Sequence, residues 1–117
     1  MDLLGKDAIL AAQDKTSQIV NVPEWGGHVN VRTMSGTERD AFEAGLLNEG
    51  GKINTNNIRA RLCSLCMCDG EGKRLFTTDA EVKALGEKSA AALDRVFTIA
   101  QRLNGITAED VDALVKN

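Results

Sequence analysis

The stretch Lys88 to Gly105, KSAAALDRVFTIAQRLNG, sets the first condition on any fold. Its apolar residues Leu93, Val96, Phe97, Ala100 and Leu103 recur at the three- and four-residue spacing of an amphipathic helix. Asp94, Arg95, Gln101 and Arg102 fall between the stripe positions, Ala90 to Ala92 add helix propensity, and Asn104-Gly105 offers the left-handed residue that ends many helices. A helix of this length is marginal by itself, so the stripe must be covered by other parts of the chain. With 117 residues the chain has room for one core and little more.

The rest of the chain supplies the cover. Leu3, Leu4, Ala8, Ile9 and Ala12 sit at roughly helical spacing, which predicts a short helical arm within residues 1–16. Residues 17–33 then alternate, with Ile19, Val20 and Val22 before PEWGG and Val29 and Val31 after it. This predicts a hairpin running from Ile19 to Arg32, with Trp25 at its tip. Ser35 with Glu38 and Thr78 with Glu81 have capping-box spacing, Asn56 or Asn57 can start a helix, and Asp69-Gly-Glu-Gly72 makes a turn. Helices are expected near 36–47, 56–68, 79–86, 89–103 and 108–115, the last opened by Thr107 and Asp110. The predicted fold is mainly α with a small N-terminal β-hairpin, an α+β arrangement of about five short helices in one compact domain over 1–117, with 35–116 as its helical part. Phe42, Leu46, Ile58, Leu62, Leu65, Leu75, Phe76, Leu85, Leu93, Val96, Phe97 and Ala100 are the expected core.

Composition narrows the chemistry. A net charge of -3 with scattered basic residues gives no phosphate-neutralising stripe, so nucleic acid is not expected as a partner. No apolar run approaches a bilayer span and the start has no basic-then-apolar leader, so neither a membrane nor secretion is expected. Cys63, Cys66 and Cys68 form C-x-x-C-x-C, half of a zinc or redox site, but His28 is the only histidine. Buried thiols are the expected reading, with a zinc- or thiol-dependent module as the alternative; no cofactor, metal or catalytic set is expected. Trp25, beside Pro23 and Gly26, is either a lid on the core or an exposed anchor for a partner.

Three stretches, VPEWGGHVNVRTMSGTERDAFE, NIRARLCSLCMCDGEGKRLFTT and VKALGEKSAAALDRVFTIAQRLNGIT, cover most of Val22 to Thr107. In their order and wording the sequence resembles tail assembly chaperones of long-tailed, non-contractile bacteriophages, in the short, non-frameshifted form. That resemblance implies a non-enzymatic factor in the host cytoplasm that binds the tape measure protein and keeps it soluble while the tail tube polymerises. It also implies departure before the virion is finished, and a longer frameshifted form that recruits the tail tube protein. Val115-Lys116-Asn117 can be encoded as GTA AAA AAC, which contains a slippery heptamer, so the frameshift is expected close to this point. The residues expected to make protein contacts, with the tape measure or in self-association, are Pro23, Trp25, Gly26, Leu3, Leu4 and Leu114.

Overall fold

A computed structural model describes residues 2–47 and 50–106 of the chain. In order they form helix α1 (Lys6–Ala11), strand β1 (Ser17–Val22), a 3-10 turn (Pro23–Trp25), strand β2 (Gly27–Arg32), helices α2 (Gly36–Gly45) and α3 (Ile58–Cys66), strand β3 (Met67–Cys68), and helices α4 (Asp79–Gly86) and α5 (Ala90–Leu103). The mainly helical single domain with an N-terminal hairpin is the fold expected. The helix expected at 108–115, with Leu114, lies outside the described residues.

Local chemistry explains most element ends. The Ser35 hydroxyl accepts from the Glu38 amide while the Glu38 carboxylate accepts from the Ser35 amide, and Thr78 and Glu81 do the same for α4. At the end of α5 the Ile106 amide donates to the Gln101 carbonyl and the Gly105 amide to Arg102, with Gly105 at φ +66°. These paired bonds are a Schellman stop, and buried Ile106 makes its apolar contact. Asn57 does precede α3, but at φ +55° and without a side-chain cap bond. Its side chain lies against the end of α4 instead: a Cβ on Gly86 would stand 2.9 Å from Asn57 Oδ1, so any larger residue there would have to displace that side chain.

β1 and β2 pair antiparallel, Ser17 opposite Arg32 through Val22 opposite Gly27. The expected helix 56–68 stops at Cys66, because Met67 and Cys68 turn extended and pair with Val31 and Asn30, making a third strand in the order β1-β2-β3. Arg74 seals this exit, its Nε donating to the Ser64 carbonyl at 3.0 Å. The extended segment that returns past β3 turns successive side chains to opposite sides, so Phe76 packs against the core and Leu75, expected to be buried, stays 45% exposed.

α5 lies across β1 and β2 and against α3, while α4 closes the far side of α3. Val20, Val22 and Val31 from the sheet meet Leu62, Cys63 and Cys66 from α3 and Ala92, Leu93, Val96 and Ala100 from α5. Each large aliphatic side chain so buried contributes about 1.5–3 kcal/mol. Phe42, Leu46 and Leu85 are also buried, as expected, whereas Ile58, Leu65 and Phe97 sit half-buried at the margin.

Candidate protein-contact surfaces

Two polar junctions hold the scaffold rigid. Arg32, buried at the end of β2, forms a two-pronged pair with Glu38 at 2.9 and 2.7 Å. The same carboxylate closes the α2 cap, and the Arg32 guanidinium, outweighing burial, lowers its pKa from 4.5 to about 2. Asn104 joins the end of α5 to the start of α2: its Oδ1 accepts from the Met34 amide at 2.7 Å, and its Nδ2 donates to the Ala100 carbonyl at 2.8 Å. Arg39 Nη1 donates to the Asn104 carbonyl at 2.8 Å. Neither junction is visible in periodicity, because both join residues through three dimensions.

The hairpin tip is docked on this scaffold. Gly26, at φ +74°, turns the chain after Pro23, and Glu24 Oε1 accepts from Arg95 Nε of α5 at 2.8 Å, which lowers the Glu24 pKa. Trp25 is half-buried against the core, so the lid reading accounts for its packed side. Pro23 and Gly26 are exposed around it.

The arm behaves in the opposite way. It leaves the sheet at Thr16, whose carbonyl accepts from the Thr33 amide at 2.9 Å, and no residue of α1 is buried. Leu3 is 87% exposed, Leu4 69% and Leu10 78%, with Ile9 also open. The structure therefore places the expected contact residues in two groups, with Leu3 and Leu4 on the free arm and Pro23, Trp25 and Gly26 at the docked tip. Leu10, seven residues after Leu3 and so on the same helical face, belongs with the arm and was missed.

A second surface, also missed, is a shallow cleft of about 180 Å³ between α2, α3 and α4, lined mainly by Ala41, Phe42, Gly45, Leu65 and Val82. Arg61 forms its floor by donating to the carbonyls of Gly45 at 2.5 Å and Asn54 at 2.7 Å, tying down the end of α2. Apolar residues left over after the core is filled are the signal that could have found it.

The cysteines offer no competing site. All three are free and buried, and each has its own neighbour: Cys63 Sγ donates to the Leu93 carbonyl at 3.7 Å, Cys68 Sγ to Asn30 at 3.6 Å, and Cys66 Sγ accepts from Asn104 Nδ2 at 3.5 Å. Burial raises all three thiol pKa values, that of Cys66 to about 12, which suppresses the reactive thiolate. Among the described residues no group of three or more histidine, cysteine or acidic side chains can hold a metal ion, so the zinc-module alternative finds no support. His28 is exposed on β2 opposite Asn21. Among the described residues no helix is long and apolar enough to cross a membrane.

No family model matches the chain, nor does any curated protein sequence. A solved structure does match: that of the bacteriophage HK97 tail assembly chaperone, with a TM-score of 0.59 and 20% identity, over 83% of this chain and 90% of that one. Over most of both lengths, this chain shares the fold of a phage tail assembly chaperone.

Proposed function

We propose that this chain is a non-enzymatic tail assembly chaperone of a long-tailed bacteriophage, binding the tape measure protein in the host cytoplasm and leaving before the virion is complete. The observation that carries this reading is the fold likeness to the HK97 tail assembly chaperone across most of both chains. The free apolar arm supports it. A long, largely helical partner exposes apolar stripes, and a short amphipathic segment with open leucines can lie along one of them. The half-open cleft of Phe42, Leu65 and Val82 offers a second, shallower contact.

The energetics favour many weak contacts over one strong one. Burying a leucine of the arm yields about 1.5–3 kcal/mol, but ordering a free segment and losing rotational freedom offset much of it. Several copies along one tape measure act through effective concentration, and weak single contacts let them leave as the tube closes around it. A longer frameshifted form that recruits the tail tube protein completes the proposal. Synonymous codons at Val115-Lys116-Asn117 that break the heptamer, with no slippery alternative nearby upstream, would count against the frameshift at that point.

Co-expression with the tape measure protein of the same phage is the test. The tape measure is expected in the soluble fraction with the chain and in the insoluble fraction without it. Equal solubility in both cases would overturn the reading.

A further inference from the structure

The two edges of the sheet are treated differently. On the β3 side, the Leu75 amide donates to the Met67 carbonyl at 3.2 Å and Cys68 bridges Arg74, so a returning chain closes that edge. On the β1 side, no described residue does the same. The bond from the Thr33 amide to the Thr16 carbonyl sets the phase of the ladder, making Gln18 and Val31, Val20 and Val29, and Val22 and Gly27 the bonded pairs. The amides and carbonyls of Ser17, Ile19 and Asn21 therefore point away from β2, and no described residue partners them.

This open edge also lacks the usual defences. SQIVNV contains no charge, no proline and no bulge, the devices by which edge strands avoid pairing. Its outward face carries Ile19, which is 63% exposed, whereas Val20 and Val22 are buried beneath α5.

We propose that β1 pairs antiparallel with β1 of a second copy of this chain, about a two-fold axis at Ile19, joining two three-stranded sheets into one. The occupant follows from the strand itself. With the free groups on residues 17, 19 and 21, a two-fold register sets Ile19 against Ile19 and Ser17 against Asn21, so every free amide meets a free carbonyl. The uncharged strand puts no like charges opposite each other, and the two isoleucines cover one another on the open face. The groove beside the edge, about 460 Å³ between β1 and α5, carries Asp94 and Arg95. Each is already paired, with Arg59 and Glu24 respectively, so a second copy meets no single-sign field there. A contact built on six residues is small, so the dimer is concentration-dependent. This inference stands apart from the chaperone reading.

Sedimentation equilibrium of the purified chain from about 10 μM to about 1 mM tests it, together with hydrogen exchange at the Ile19 amide. Ile19→Pro removes an amide that the β1–β2 ladder does not use, and Ile19→Lys sets like charges across the axis. Circular dichroism and melting confirm the fold of each, and Ile19→Lys carries the test should the proline variant unfold. The wild type is expected to dimerise with rising concentration, protecting the Ile19 amide, and a folded variant to dimerise at least tenfold more weakly. A wild type that stays monomeric throughout, or a dimer that persists unchanged in the folded variants, overturns the proposal. An Ile19 amide protected only when a tape measure segment is added would instead assign the edge to a foreign strand and overturn the second copy.

Discussion

α5 and the N-terminal arm carry the same kind of signal and meet opposite fates. Both place apolar residues at helical spacing, yet Ala92, Leu93, Val96 and Ala100 of α5 are buried while Leu3, Leu4 and Leu10 stand in solvent. α5 has 14 residues, a serine cap and a Schellman stop, and it lies against the sheet and α3. α1 has six residues, no side-chain cap bond, and no packing partner among the described residues. An amphipathic pattern thus states that a face needs cover without saying whether the cover comes from within. Where the domain cannot supply it, the stripe is available to another molecule.

The comparison can be broken most forcefully at α5. Leu93→Ala should cost roughly 2–5 kcal/mol in chemical denaturation, the range for a buried leucine that leaves a cavity. A neutral result would remove α5 from the core and with it the contrast.

The Arg32–Glu38 junction between β2 and α2 gives the next largest effect, through pH. Glu38 stays ionised in the folded chain until about pH 2, but protonates near 4.5 when unfolded. The unfolded state therefore binds more protons between those values, and stability is lost as pH falls from about 4.5 to about 2. At 1.36 kcal/mol per unit, the loss is roughly 3 kcal/mol at most. Glu38→Gln should flatten that part of the stability profile and lower the plateau above it. An unchanged acid limb would remove the Arg32–Glu38 pair from the account.

Trp25→Ala sharpens the contrast between docked tip and free arm. Half-buried packing predicts a loss of about 1–2 kcal/mol, below that of a fully buried aromatic. A change within about 0.5 kcal/mol would make Trp25 an anchor in search of a partner rather than a lid.

The smallest effect on stability, and the largest expected on partner binding, belongs to the arm. Leu3→Ser with Leu10→Ser should leave thermal stability within about 0.5 kcal/mol, because neither side chain is packed. The same variant should fail to hold the tape measure in solution. A marked drop in stability would show that the arm is structural.

What the sequence made legible is what neighbours in sequence decide. Ser35 with Glu38, Thr78 with Glu81, and Asn104-Gly105 could be read directly, because a cap is completed within a few residues. The valines of the hairpin could be read as strands but not as core, since only the docking of α5 makes Val20, Val22 and Val31 interior. β3 was hidden because Leu62, Leu65 and Cys66 continue a helical spacing toward Cys68, while the pairing of Met67 with Val31 is a long-range event. Of the contact residues, Leu3 and Leu4 were marked by their stripe. Leu10 and the cleft of Phe42, Leu65 and Val82 emerged only once the core had taken its share.

Hydrogen exchange on the free chain and on its complex with a tape measure segment addresses the central contrast most directly. Amides across residues 6–12 are expected to exchange freely in the free chain and to become protected in the complex, while those of α5 stay protected in both. Unchanged exchange of the arm in a demonstrated complex would contradict the claim that its open stripe is the contact surface.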